Sequence, residues 1–486
     1  MHVYACIILF MQNTTSRTAW QSLLAIFPHR LSCNPRADFV RGWGLHGGDS
    51  SLSPSPKNPF AYDDEPVENF TGSASKLPAG RGDPSFGLED RGRLRRARLS
   101  TGLIFVVNGL VVAVWASRVP DFQERLHLAP AILGLELMMA ALGSVVAMPM
   151  VGWLIHRFRS RRLVVATSLG ACVSLPLIGL CSSVGELSLA LLFYGAMCAS
   201  MDVAMNTHGV LLEKRHQRHI MSSFHALFSV GGLAGSTLSG LLVSRGIAAT
   251  TQLWASGAAL SALCVVSFSW LALPPQTQDE ASGETRGSLQ FSVTLCALAL
   301  LGFCIMLVEG AMTDWSTVFL RTGVAASPGL APIGFAAFSG AMALGRATGD
   351  YLTTKLGPAV MGRYGTLMAF FGFSLALVSG SFDGAVLGFT CVGAGLATII
   401  PNTLAASGNI AGSSPGPSIA AVTTAGYLGF LAGPPLIGFG AQISTLRNAL
   451  WILVVLSGFS TFVTGFLKRT LPLQANHDCG RCARNV

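Results

Sequence analysis

Two acidic side chains lie deep inside long apolar segments of the chain. Asp202 interrupts the apolar segment 186–212, and Glu309 interrupts the segment 291–320. A carboxylate in such a place is unfavourable unless it faces water or a partner, so it is a functional candidate by default. Because desolvation penalises the charged form, a carboxyl group in a poorly hydrated cavity binds and releases a proton near physiological pH. We therefore predict that Asp202 and Glu309 couple proton movement to the function of the chain.

Polar residues in the same segments form a second group of candidates. Asn206 follows Asp202 by one helical turn and shares its helix face. We predict that a small solute contacts Asn206, His225, Asp314, Asn402 and Arg118. The structural alternatives are an acid bonded to a neighbouring helix, a histidine satisfied by a backbone carbonyl, and an arginine that extends to water.

The composition indicates that these segments cross a membrane. Hydrophobic residues make up 51% of the chain and charged residues 11%, with a mean hydropathy of +0.55. Soluble domains average about 25% charged residues. Apolar stretches of roughly 20 residues, long enough to cross a bilayer, recur along the chain. The net charge of +9 comes largely from short turns between them, which argues against a nucleic-acid partner.

Three residues near the segment ends have structural interpretations. Glu136 lies close enough to the end of its segment to extend to water. Trp115 and Trp315 are predicted to anchor the helices at the membrane interface. A further pair, Cys479 and Cys482, has the spacing of half a metal site, but no second pair lies beside it, so we expect no metal site there. We also expect neither a cofactor nor a catalytic centre in this chain.

An internal repeat organises the apolar segments. Residues 232–240 return in similar form as 430–438, and Asn206-Thr207 returns as Asn402-Thr403. Such duplication is typical of secondary transporters. We predict an all-α membrane protein with twelve transmembrane helices in two pseudo-symmetric six-helix bundles. The predicted parts are a disordered extension (1–95), the N-terminal bundle (96–273), a linker (274–290), the C-terminal bundle (291–470) and a tail (471–486).

Basic residues predict the orientation of the chain. Arginines precede the first span, and the turns after spans two, four and eight are basic, whereas the alternate loops carry few basic residues. Because basic loops remain in the cytoplasm, the extension, linker and tail are predicted to be cytoplasmic. We expect a monomer in the cytoplasmic (inner) membrane.

The turn after span two carries a family resemblance. Residues 152–162 read Gly-Trp-Leu-Ile-His-Arg-Phe-Arg-Ser-Arg-Arg, which resembles the G-x-L-x-D-R-x-G-R-[RK] signature of the major facilitator superfamily. His156 replaces the acid and Arg159 the second glycine. The second-half counterpart, residues 345–357, keeps the acid. The resemblance implies a cytoplasmic gate that contains Gly152, Arg157, Arg161, Gly349 and Asp350.

Within that superfamily, span four is similar to the fucose:proton symporter branch. The sequence Met201-Asp-Val-Ala-Met-Asn206 matches a carboxylate followed by small residues and asparagine. The resemblance implies that Asp202 couples protons and that His225 faces a sugar. The branch's acid in span one has no counterpart here.

These observations favour a secondary transporter that moves a small, sugar-like polar solute by alternating access, with protons. Two alternatives remain: an exporter of drugs or metabolites from the same superfamily, and a membrane sensor or scaffold that transports nothing. An enzyme is disfavoured because no nucleophile–base pair, phosphate-binding loop or metal-ligand cluster is present in the sequence.

Overall fold

The computed structural model describes residues 88–157, 160–216, 220–271, 291–410 and 415–470, and within these ranges all the regular secondary structure is helical. The predicted linker and tail, and most of the predicted N-terminal extension, lie outside the described residues. The helices account for twelve spans, which confirms the predicted all-α membrane fold.

Spans one to nine are single helices: Leu88–Arg125, Pro130–Arg157, Ser160–Leu180, Val184–His216, Met221–Ser244, Ala249–Phe268, Val293–Thr322, Ile333–Leu356 and Pro358–Val378. Span ten consists of two helices, Phe382–Leu396 and Ile399–Gly408, and span eleven is Pro415–Ile443. Span twelve contains Leu446–Ala449, Trp451–Val463 and the 3₁₀ helix Thr464–Thr470.

Eleven of the spans are long and apolar enough to cross a membrane by length and composition. Span eight has a suitable length of 24 residues but is not among the eleven. It carries Arg346, Asp350 and Lys355, and these charged residues lower its mean hydropathy. They lie on a helix that packs between other helices, so they need not contact lipid.

Two spans differ from the sequence expectation. Helix one begins at Leu88, earlier than the apolar part at residue 99, because arginine-rich sequence has a good helix propensity and continues the helix beyond the apolar segment. Span ten was expected to be continuous over 383–408, yet the helix is interrupted at Ala397 and Thr398.

The packing of the spans follows a two-fold pattern. In the first half, span one packs on five, two on four, and three on four and six. In the second half, seven packs on eleven, eight on ten, and nine on ten and twelve, which is the same set of pairs shifted by six spans. Between the halves, five packs on eight and two packs on eleven, and the pseudo-symmetry exchanges these two seams. The described helices therefore form two related six-helix bundles.

The two ends of the molecule are named by their charge. The basic end contains the turns beside Arg157, Arg161 and Lys355, and the opposite end contains the loops between spans one and two and between seven and eight. At the opposite end both seams close to backbone contact. A Cβ atom on Gly134 of span two would lie 2.6 Å from the carbonyl oxygen of Pro434 in span eleven. A Cβ atom on Gly240 of span five would lie 2.5 Å from the carbonyl oxygen of Gly329, just before span eight. Glycine is required at both places because any larger residue would force the halves apart.

Candidate functional site

A cavity of about 340 Å³ lies between the two halves. Its lining includes side chains from spans one, two, four, five, seven, eight, ten and eleven. It extends from Trp115, Tyr194 and Asp314 in the half of the bundle nearer the opposite end to Ser222 and Asp350 at the basic end. Because the seams close at the opposite end, the cavity extends toward the basic end.

Span four contributes Asp202 to the cavity lining. Asn206, one turn later, is fully buried and does not line the cavity. Its amide nitrogen donates to the Asp202 backbone oxygen at 2.8 Å and to the Asp202 Oδ1 atom at 3.1 Å. Asn206 is therefore placed to orient the carboxylate of Asp202, not to contact a solute in this conformation.

Span seven contributes Glu309, which lies opposite an arginine of span eight. The Arg346 Nη2 atom lies 4.0 Å from the Glu309 Oε2 atom, and both side chains are largely buried. Arg346 also donates from Nη1 to the Ser229 hydroxyl of span five at 3.0 Å. One guanidinium group thus joins a carboxylate of its own half to a hydroxyl of the other half.

Asp314 and two aromatic rings line the cavity nearer the opposite end. The Trp115 ring centroid lies 6.3 Å from that of Tyr194, and both rings line the cavity together with Asp314. The prediction that Trp115 and Trp315 anchor the helices at the membrane interface is wrong. They are 4% and 1% exposed, because each packs inside the bundle instead of facing lipid.

His225 and Asn402 also line the cavity, on spans five and ten. The His225 ring meets Phe105 edge-on, with ring centroids 5.5 Å apart. The Asn402 amide nitrogen donates to the Thr353 hydroxyl of span eight at 3.4 Å. The two polar residues that the sequence placed in different halves thus contribute to a common cavity.

Two other polar residues lie away from the cavity. Arg118 is buried at the opposite end, where it donates to the side chains of Gln252 and Asp121 and to the Ile247 carbonyl at 2.7–2.8 Å. The structure thus gives Arg118 a role within the first bundle and not in the cavity. Glu136 was expected to extend to water, but it is buried and accepts a hydrogen bond from the Ser188 hydroxyl at 2.7 Å. Gln252, Ile247 and Ser188, which bond to these two side chains, lie 52 to 134 residues away, so the sequence did not indicate these bonds.

The predicted gate residues divide into two groups. In span eight, Asp350 accepts a hydrogen bond of 2.6 Å from the Ser222 hydroxyl of span five, so it connects the halves at the basic end. A Cβ atom on Gly349 would lie 2.4 Å from Thr398, which explains the need for glycine there.

In the turn after span two, Arg161 donates to the Phe268 carbonyl at 2.9 Å, within the first half. Gly152 and Arg157 belong to the span-two helix, but their contacts lie outside the described residues.

Sequence analysis missed two residues of the site, Arg346 and Asn108. An arginine more than a turn inside a membrane span is itself an indication of a functional site. Arg346 belongs to residues 345–357, the second-half counterpart of the turn after span two, and could have been found in this way. Asn108 of span one is 3% exposed and lines the cavity, and its Oδ1 atom has no hydrogen-bond partner among the described residues. Only its surroundings distinguish it from an ordinary buried asparagine. No group of three or more metal-binding side chains occurs within the part of the chain that the structure describes.

Comparison with known proteins gives a family. Residues 101–416 match the family model of the Major Facilitator Superfamily. An uncharacterized MFS-type transporter of Yersinia pestis is 36% identical over 368 residues, which cover 74% of this chain and 92% of the relative. Membrane protein MosC of Rhizobium meliloti is 29% identical over 368 residues, covering 75% of this chain and 88% of MosC.

Solved structures show the same fold at low identity. A bacterial homolog of the human lysosomal transporter Spinster, in an inward-facing and occupied conformation, has a TM-score of 0.61 at 15% identity, covering 79% of this chain and 98% of that one. The nucleoside transporter NupG has a TM-score of 0.56 at 14% identity, covering 78% of this chain and 98% of NupG. These similarities concern the fold alone.

Proposed function

Because the chain belongs to the Major Facilitator Superfamily and is a multi-pass membrane transporter, we propose that it moves a small, sugar-like polar solute through the central cavity by alternating access and couples this movement to protons. The observation that carries the proposal is that three carboxyl groups, Asp202, Glu309 and Asp314, line one cavity between the two halves. The likeness of span four to the fucose:proton symporter branch supports the sugar-like class.

The dimensions and chemistry of the cavity support a small polar solute. Its volume lies within the range of about 300–1,000 Å³ typical of small-molecule sites. Hydroxyl, amide and carboxyl groups reach it from both halves, among them Asn108 and Ser144 from the first half and Ser339, Thr313 and Asn402 from the second. A hydroxylated solute can therefore bind to both halves at once, and its binding affects the equilibrium between their two relative positions.

Alternating access requires one end to open as the other closes. In this conformation the opposite end is closed at Gly134 and Gly240, and the cavity reaches the basic end. With the basic end assigned to the cytoplasm from its charge, this conformation faces inward. We propose the cytoplasmic membrane as the location, with both termini in the cytoplasm.

Proton coupling is assigned to Asp202, with Asn206 as the residue that orients its carboxylate. Protonation neutralises Asp202 and removes the penalty for moving it through a closed, dehydrated cavity. Asn206 bonds to Asp202 through its amide nitrogen, which is a donor that suits the charged form. In this proposal Asp202 exchanges its proton while the cavity is open, and the solute and proton cross together.

The experiment uses the variant Asp202→Asn in proteoliposomes, with a panel of sugars and polyols. Asparagine retains the shape and some hydrogen bonding but cannot titrate, so the variant should lose accumulation driven by a pH gradient and retain counterflow exchange. Asp383→Asn is the matched control, because Asp383 is an exposed acid at the start of span ten. If Asp202→Asn accumulates solute as well as the wild type does, Asp202 is not the coupling site and Glu309 becomes the next residue to test.

Two alternatives predict different results in the same assay. A drug or metabolite exporter would move hydrophobic compounds outward and would not accumulate sugars. A sensor or scaffold would bind solute without any flux, so counterflow would be absent in the wild type.

A further inference from the structure

The charge of the cavity is opposite in sign to that of the chain. The whole chain carries a net charge of +9. Among the described residues, the cavity lining contains four carboxylate residues, Asp202, Glu309, Asp314 and Asp350, and one basic residue other than histidine, Arg346. A narrow space lined by one sign of charge concentrates ions of the other sign.

Arg346, the one guanidinium group among the described lining residues, cannot balance both Glu309 and Asp314. Arg346 lies 4.0 Å from Glu309 and is also bonded to Ser229. Asp350 accepts a bond from Ser222 at the basic end. Asp314 also lines the cavity, within range of an electrostatic interaction with Tyr194. The negative charge in this deeper part of the cavity therefore depends on Asp314.

A second, independent observation indicates a solute that donates hydrogen bonds. Asn108 is 3% exposed and lines the cavity, and its Oδ1 atom is without a hydrogen-bond partner among the described residues. Its Nδ2 atom makes only a weak contact, 3.8 Å from the Met205 sulfur. Leaving a buried acceptor unpaired is unfavourable, so this oxygen is placed to accept a bond from a molecule in the cavity.

The aromatic rings near Asp314 favour the same kind of solute. Tyr194 is close enough to Asp314 to interact with it electrostatically, and the Trp115 ring lies 6.3 Å from the Tyr194 ring in the same cavity lining. Aromatic faces attract ammonium groups, and the attraction is stronger where water is excluded. A carboxylate with two rings is thus suited to an ammonium group, whereas an anionic solute would be repelled.

We propose that the transported solute is a small hydroxylated amine that carries a positive charge, of the amino-sugar type. Its ammonium group binds Asp314 on the side of the cavity that Tyr194 and Trp115 line, and one of its hydroxyl or ammonium N–H groups donates to Asn108. This inference rests on the proposed transport function, because it names the substrate class of the same cavity.

A thiol probe tests the charge of the cavity without knowledge of the solute. Ser144 lines the cavity, and Ser144→Cys is nearly isosteric. Cys198, which lines the cavity, and the other native cysteines, among them the exposed Cys296, are first replaced by alanine. Purified protein in detergent is treated with a cationic or an anionic methanethiosulfonate reagent of similar size. The rate at which each reagent modifies the Ser144→Cys thiol is divided by the rate at which the same reagent modifies free mercaptoethanol, which corrects for the intrinsic reactivity of the reagent.

The cationic reagent should react at least about tenfold faster than the anionic one after this correction. Asp314→Asn should lower the ratio severalfold, whereas Glu186→Gln, which removes an exposed acid outside the cavity, should leave it unchanged. A ratio near one, or a ratio that favours the anion, would overturn the proposal.

Transport of a matched pair separates this inference from the proposed function. Glucosamine and glucose differ by one amino group, and at a pH that protonates the amine, uptake of glucosamine should exceed that of glucose. Asn108→Leu should weaken glucosamine uptake about tenfold through a higher KM without changing the reagent ratio. Equal or faster uptake of glucose overturns the cationic class but leaves transport intact. Absence of uptake of both compounds, with the reagent ratio preserved, counts against the proposed sugar-like transport and not against the charge preference.

Discussion

The two seams between the halves are related by pseudo-symmetry, yet they are built differently. The seam between spans five and eight carries polar bonds, from Ser222 to Asp350 and from Arg346 to Ser229. At the opposite end both seams come into backbone contact, the first at Gly240 and Gly329 and the seam between spans two and eleven at Gly134 and Gly438. Polar bonds near an aqueous cavity exchange readily with water, whereas backbone contact depends on shape alone. We infer that the polar bonds of the first seam set the balance between conformations and that the glycine contacts of both seams limit how closely the opposite end can close.

The largest effect is expected at the seam between spans two and eleven. In Gly134→Ala the added Cβ atom would lie 2.6 Å from the Pro434 carbonyl oxygen and 3.0 Å from the Gly438 Cα atom. Because these are backbone atoms, the helices must separate, and such overpacking costs about 1–3 kcal/mol. The midpoint of thermal unfolding in detergent should fall by several degrees.

Gly185→Ala is the control for this variant, since no other atom lies within 4 Å of the added methyl group. If both variants unfold at the same temperature as the wild type, the close approach of spans two and eleven is not a constraint on the structure.

An intermediate effect is expected at the polar seam. Asp350→Asn replaces a charge-assisted hydrogen bond to Ser222 with a weaker one, and bonds to charged groups contribute about 1.5–3 kcal/mol when buried. Because Asp350 is exposed, the effect should be smaller. The basic end is already open in this conformation, and loss of the bond should let spans five and eight separate further there. A neutral maleimide added from the basic side should therefore modify Ser144→Cys severalfold faster.

A double-mutant cycle tests whether this effect arises from the bond itself. Ser222→Ala should accelerate modification to a similar degree, and the combination with Asp350→Asn should add little, because both variants remove the same contact. Additive effects would show that the two residues act separately.

The smallest effect is expected at an ion pair that joins the halves at the opposite end. The Arg321 Nε atom lies 3.1 Å from the Glu124 Oε1 atom, and the two side chains are 27% and 59% exposed. Exposed pairs contribute about 0–1 kcal/mol. Glu124→Gln should lower the midpoint of thermal unfolding only slightly, and the corresponding free energy should be smaller than the one obtained from the modification rate of Asp350→Asn. The shift of the midpoint should disappear at high salt. A larger, salt-independent change would mean that the pair is part of the opposite-end closure.

The spans were predictable from the sequence because a bilayer fixes their length and polarity. Span eight was also predicted, although its charged residues exclude it from the eleven apolar helices, because the repeat placed it. The interruption of span ten was not predicted. Ala397 and Thr398 carry no helix-breaking signal, and the glycines that they pack against, Gly345 and Gly349, belong to span eight, far away in sequence.

The site was predictable where a single residue type was informative. An acid within an apolar segment is unusual, and Asp202, Glu309 and Asp314 were found in this way. Arg118 and Trp115 were misplaced because their partners, Gln252 and Tyr194, lie far away in sequence. A sequence indicates that a buried polar side chain must have a hydrogen-bond partner, but it does not show which residue is that partner.

The interruption in span ten has a mechanical consequence. The repeat that pairs Asn206 with Asn402 also pairs Asp202 with Thr398, so the position that holds a carboxylate in an unbroken helix of the first half is a break in the second. A helix bends most easily where its hydrogen-bond ladder is interrupted. When the two halves rotate relative to each other, span ten can bend at this break, while span four remains a continuous helix that keeps Asp202 at a fixed depth in the membrane.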